Sequence, residues 1–81
     1  MWRVGGYVII ERLGEKLGEF LQYPFQHAFE GTEMPTFSQI EAVARERAEE
    51  FLGIIEDTAP ERRADYGGVG EVVVVFANFS F

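Results

Sequence analysis

The chain has 81 residues, of which 14 are acidic and 7 basic, giving a net charge of −7. That balance excludes duplex nucleic acid as a general partner, because a phosphate backbone is met by a basic surface; it fits solubility, or a basic protein partner. The absence of cysteine removes disulfides and thiolate zinc sites, and no apolar run reaches the roughly 18 residues needed to span a bilayer.

A chain of this length forms one domain, residues 1–81. A domain so small buries only about 60–65% of its unfolded surface, which leaves a thin stability margin. Apolar residues make up 47% of the chain and aromatic ones 15%, more than a small core absorbs, so homo-oligomerisation is an economical cover. The start, MWRVGGYVIIERLG, is too short and too polar for a secretory signal. The expectation is a soluble, cytoplasmic protein with no membrane partner.

In chain order, Tyr7-Val-Ile-Ile10 is a buried-strand type of run, interrupted upstream by Gly5-Gly6, which suggests a bulge or a late start. The segment Leu13 to Glu30 has two readings. Ile10, Leu13, Leu17, Phe20 and Leu21 fall at helical spacing, but Gly14 and Gly18 oppose a helix there. In the second reading Gly14 to Gly18 turns a hairpin. The return strand then places Leu21, Tyr23, Phe25, His27 and Phe29 on one face, and Pro24 marks an edge. The hairpin is favoured slightly.

Thr36 to Glu41 offers two overlapping capping boxes, Thr36 with Gln39 or Ser38 with Glu41. Ile40, Ala44, Ala48, Phe51 and Ile55 then form an apolar stripe, widened by Val43 and Leu52. Glu41, Arg45, Glu46, Glu49 and Glu50 lie mostly opposite, and Glu41 with Arg45 makes a favourable i,i+4 pair. The helix is expected over residues 37–57, since Pro60 cannot continue it. Glu61 to Gly70 reads as a polar, glycine-rich connection. The strand GEVVVVFANFSF follows, with Val73, Val75, Ala77, Phe79 and Phe81 on one face and Val72, Val74, Phe76, Asn78 and Ser80 on the other. Between Val72 and Ala77 both faces are apolar, which predicts cover on both sides. The whole is an α+β domain in the order β-β-α-β, a small antiparallel sheet with one long helix on one face; β-α-α-β is the alternative.

No pattern amounts to a catalytic, cofactor or metal site, and none is assigned. His27, Glu30 and Glu33 have a ligand-like spacing without a second His or Cys. Glu46, Glu49, Glu50, Glu56 and Asp57 are explained by the polar side of a helix rather than by acid–base work. Tyr66-Gly-Gly-Val-Gly70 opens a strand, whereas a phosphate loop must open a helix. Arg62, Arg63 and Tyr66 form the one basic-aromatic cluster, flanked by Glu61 and Asp65. The candidates left are surfaces for another protein: the strand face bearing Val73, Val75, Phe79 and Phe81, and the helix face bearing Glu41, Glu46, Glu49 and Glu50.

Tyr7-Val-Ile-Ile-Glu11, the hairpin return strand, the capped helix SQIEAVARERAEEFLG and the final strand together resemble the small antitoxin domain of the HicB family. HAFEGTEMP stands where that family has a proline-glycine segment. No ribbon-helix-helix or helix-turn-helix segment follows, so DNA binding is not carried over. The resemblance implies an acidic protein that neutralises a basic toxin by binding it. The leading expectation is thus a non-enzymatic interaction module, an antitoxin or phage-type inhibitor that occupies a partner's surface. The alternative is a small oligomer with a ligand or catalytic pocket between subunits, walled by Tyr7, Tyr23, His27 and Phe29.

Overall fold

The computed structural model describes residues 1–81. The first strand, β1 (Trp2–Arg12), runs into a single 3-10 turn at Gly14–Lys16 and returns as β2 (Phe20–Phe29). The hairpin reading is therefore the observed one. Gly14 and Gly18 both hold positive φ, 66° and 91°, a backbone region that L side chains avoid. These two glycines, which oppose a helix, are what closes the turn. The helical spacing of Ile10, Leu13, Leu17, Phe20 and Leu21 is coincidental; Leu17 and Phe20 are 72% and 63% exposed.

The long helix α1 (Phe37–Thr58) starts at Thr36, whose side chain accepts from the Gln39 backbone N–H while Gln39 reaches back to the Thr36 N–H. Of the two overlapping boxes, the Thr36 one is used. The helix ends one residue past the expected Asp57, and Pro60 opens a one-turn helix, α2 (Pro60–Arg63), that feeds β3 (Tyr66–Phe79). The sheet order is β2-β1-β3, antiparallel throughout. No helix is long and apolar enough to cross a membrane.

One face of the sheet is packed under α1. Val4, Val8 and Ile10 of β1, Phe25 of β2 and Val72 of β3 meet Ile40, Ala44, Ala48 and Leu52 of the helix. Tyr23 stacks on Phe51 with ring centroids 4.6 Å apart, and Tyr66 meets the same ring edge-on at 6.0 Å. As the alternation in β2 predicts, Leu21, Tyr23, Phe25, His27 and Phe29 share this face, each paired across to an even-numbered residue of β1.

The expectation for β3 needs correction on three counts. The strand begins at Tyr66, so the glycine-rich stretch is strand and not connection. Its 14 residues run against the 11 of β1, and three register shifts absorb the surplus. One shift lies where Gly5 pairs with Phe76 but Gly6 pairs with Val74, leaving Val75 as the extra residue of a bulge. Crossing a bulge exchanges the faces. Val72, Val74, Ala77 and Phe79 consequently pair with the helix-side residues of β1, while Val73, Phe76 and Asn78 pair with Tyr7, Gly5 and Arg3 on the other face. The single face of Val73, Val75, Phe79 and Phe81 does not exist. Nor is the stretch from Val72 to Ala77 covered on both sides, since Val75 is 65% and Phe76 37% exposed.

Gly5 and Gly6 make this bulge fit. A Cβ on Gly6 would stand 1.9 Å from the Val73 carbonyl oxygen, and one on Gly5 would enter the Phe76 ring at 2.4 Å. Gly53 of α1 is the opposite case, with nothing within 4 Å of a built Cβ. Gly6→Ala is therefore expected to lower stability by about 1–3 kcal/mol or more, because backbone must move. Gly53→Ala is expected to raise it by about 0.5–1 kcal/mol through helix propensity. Thermal unfolding of the two variants checks both signs.

Candidate functional site

Two surfaces carry the candidate residues. The first is the outward side of α1. Ile40, Ala44, Ala48 and Leu52 define the buried line, and Glu46 and Glu50 stand almost opposite it, each two residues beyond a buried alanine. Glu49, Glu56 and Asp57 are exposed as well. Glu41 lies on the flank, 3.8 Å from the Arg45 Nε. That i,i+4 pair forms as the sequence predicts; both side chains are well exposed, which limits it to a few tenths of a kcal/mol.

The basic residues are placed quite differently. Arg45 and Arg47 lie two positions apart, hence on opposite flanks of the helix. Arg45 donates to the Val69 carbonyl on β3 at 3.4 Å; Arg47 donates to the Gln26 carbonyl on β2 at 3.1 Å. Between them they tie the helix to both edge strands. Arg63 donates to the Tyr66 carbonyl at 2.8 Å, and the Arg12 guanidinium sits 5.4 Å from the centre of the Tyr66 ring. The cluster of Arg62, Arg63 and Tyr66 is thus partly internal, with Arg62 left in water. Four of the seven basic side chains are turned onto the protein's own backbone and rings. The carboxylates stay in solvent, so the outer surface is more acidic than the sequence balance alone conveys.

His27 is the second residue that Arg47 engages, with Nη2 2.9 Å from Nδ1. A guanidinium can only donate, so Nδ1 accepts and the ring proton resides on Nε2. The ring also packs edge-on against Phe29 at 4.7 Å. Glu30 and Glu33 instead line a depression beyond the end of β2 with Met34, Pro35 and Thr36. No group of three His, Cys, Asp or Glu side chains is close enough to hold a metal ion. Tyr7 is separated from Tyr23, His27 and Phe29 by the thickness of the sheet, so those four do not wall one pocket within a chain.

The second surface is the sheet face turned away from α1. Continuous pairing of β1 with β2 puts Arg3, Gly5, Tyr7, Ile9 and Glu11 on it, beside Phe20, Gln22, Pro24, Gln26 and Ala28. From β3 it receives Val73, Phe76 and Asn78. Ile9, Phe20, Gln22, Gly70 and Glu71 surround a depression of about 430 Å³. Of the strand residues singled out from the sequence, Val73 lies on this face. Phe79 and Phe81 belong to an aromatic chain at the far end of the sheet, Trp2 to Phe79 at 5.5 Å and Phe79 to Phe81 at 5.3 Å. Trp2 anchors that end by donating from Nε1 to the Thr32 carbonyl at 3.0 Å.

Sequence reasoning missed Arg47 and the apolar members Ile9, Phe20 and Phe76. A signal for Arg47 was present, because arginines at i and i+2 beside a buried alanine stripe straddle it and reach both sides. No local signal marks Phe76, whose face is set by a bulge.

Arg47→Met is expected to cost about 1 kcal/mol by removing donors to Gln26 and His27. In the wild type, nitrogen NMR of the neutral His27 ring is expected to show the proton on Nε2. A proton on Nδ1 contradicts the assigned bond. No protein-family model matches this chain, and no curated protein or solved structure is significantly similar to it.

Proposed function

We propose that this protein is a non-enzymatic interaction module that works by laying its acidic helix on the surface of a basic partner protein. The observation that carries this reading is the division of charge: three arginines hydrogen-bonded to the protein's own carbonyls and a fourth set over the Tyr66 ring, against the exposed carboxylates Glu46, Glu49 and Glu50 of α1, none of which forms an ion pair. Glu46 with Glu50 is a like-charged i,i+4 pair, and Glu46 with Glu49 an i,i+3 pair. Each opposes the helix by about 0.2–0.5 kcal/mol. A basic partner relieves that repulsion on binding, so charge strain in the free helix becomes affinity and fast, salt-sensitive association. Glu41, held near Arg45, lies at the margin of the acidic patch.

Antitoxins and phage-type inhibitors belong to this class, and the resemblance of the chain's elements to the HicB antitoxin domain points the same way. A nucleic acid mimic is a narrower form, in which Glu41, Glu46, Glu49 and Glu50 present phosphate-like charge.

The reading yields a paired expectation. Glu46→Gln, Glu49→Gln and Glu50→Gln together remove the repulsion, so the unfolding midpoint rises by a few degrees. The same variant loses a basic protein that the tagged wild type retains from a source-cell lysate and releases in high salt. Retention of the same proteins by both chains contradicts the reading. So does a marked rise in the wild-type midpoint with a metal, nucleotide or common metabolite, since stabilisation by a small ligand places the function in a pocket.

A further inference from the structure

The open sheet face has a centre and two unlike ends. β1 is the middle strand, and its pairing with β2 carries no bulge, so the odd-numbered residues from Arg3 to Glu11 all lie on this face. Arg3 stands exposed at one end and Glu11 at the other. Tyr7 lies midway between them.

We propose that this face receives a second copy of the same chain, in a two-fold sheet-on-sheet dimer whose strands run antiparallel across the interface and whose axis passes Tyr7. The axis lies between the sheets and perpendicular to the strands. It reverses position along every strand while keeping each strand over its own counterpart.

That operation brings unlike groups together. Arg3 meets the second copy's Glu11, and the same pair forms again at the other end. Phe20, 63% exposed, faces the small Ala28 of the other chain. Phe76, at the level of Gly5, faces the depression between Ile9, Gly70 and Glu71. Gln22 faces Gln26, two amides that can bond to each other. Only uncharged residues, Tyr7, Pro24 and Val73, meet their own copies. The other two-fold arrangement, with strands parallel, sets Arg3 on Arg3 and Glu11 on Glu11. Like charges opposed in a closed interface reject it.

The area is sufficient. Eleven residues of β1 extend about 37 Å, and three strands are about 14 Å across, a sheet plane of roughly 500 Å² per copy. A pair buries about 1,000 Å² before side-chain relief is added, which is the size at which specific interfaces begin. Aligned sheets of this kind cross at about 30°, a tilt that the long Arg3 and Glu11 side chains can follow. The dimer leaves both α1 helices outward, so the acidic surfaces remain free and are doubled.

The test is the solution mass of the purified chain by sedimentation equilibrium, which needs no other protein and so stands or falls apart from the basic-partner reading. The wild type is expected at twice its 9.2 kDa chain mass. Arg3→Glu and Glu11→Arg are each expected to weaken dimerisation at least tenfold, and the double variant Arg3→Glu/Glu11→Arg to restore it. Both positions are exposed, so circular dichroism should stay unchanged. Phe20→Asp, also at an exposed site, is expected to give monomers. A monomeric wild type overturns the proposal. So does a dimer indifferent to the single charge reversals, or a double variant that stays folded and monomeric.

Discussion

One 22-residue helix can cover one face of a three-stranded sheet, and α1 covers the face bearing Val4, Val8, Ile10, Phe25 and Val72. The rest of the molecule answers to that constraint. The helix presents Ala44 and Ala48, both fully buried, at its middle, where small side chains let it lie close to the strands. Arginines on its two flanks then bond to the carbonyls of the two edge strands. The sheet is held from above at both margins, and of the cations that do this only Arg45 also meets a carboxylate, that of Glu41. An acidic outer surface and an uncovered lower face are thus two consequences of the same economy.

The lower face owes its composition to glycine. Gly5 and Gly6 leave room for the β3 bulge, with the Val73 carbonyl over one and the Phe76 ring over the other. Without the bulge, alternation from Val72 onward would place Phe76 under the helix. With it, Phe76 comes to the open side and lies on Gly5, a large apolar group covering exposed backbone. The other two register shifts fall where Gly67, Gly68 and Gly70 make the chain permissive. Phe76 and the depression bordered by Gly70 therefore share a face that the sequence alone does not assemble.

How far the sequence can be read follows from which interactions are local. Thr36 and Gln39 cap each other three residues apart, and Ile40, Ala44, Ala48 and Leu52 repeat at four, so α1 is legible almost to its last residue. The return strand is legible for the same reason: Leu21, Tyr23, Phe25, His27 and Phe29 alternate without interruption. The final strand is not. Four successive valines conceal any change of parity, and the bulge that changes it depends on two glycines some 70 residues earlier. Of the candidate interface residues, the helix carboxylates could be placed from periodicity, and Val73 lies on the open face. Phe79 pairs with Trp2 on the helix side instead, a separation from Val73 that the hidden shift produces.

In the proposed dimer the uncovered face is completed by its own copy, with the ends of β1 exchanged. The decisive measurement is on a mixture of isotope-labelled and unlabelled chain, read by filtered nuclear Overhauser spectra. Intermolecular contacts are expected from the Phe76 ring to Gly70 and from Phe20 to Ala28, with Tyr7 close to its own counterpart. Contacts between copies that involve α1 instead, or none across this face at concentrations where the chain is dimeric, would contradict the proposed dimer.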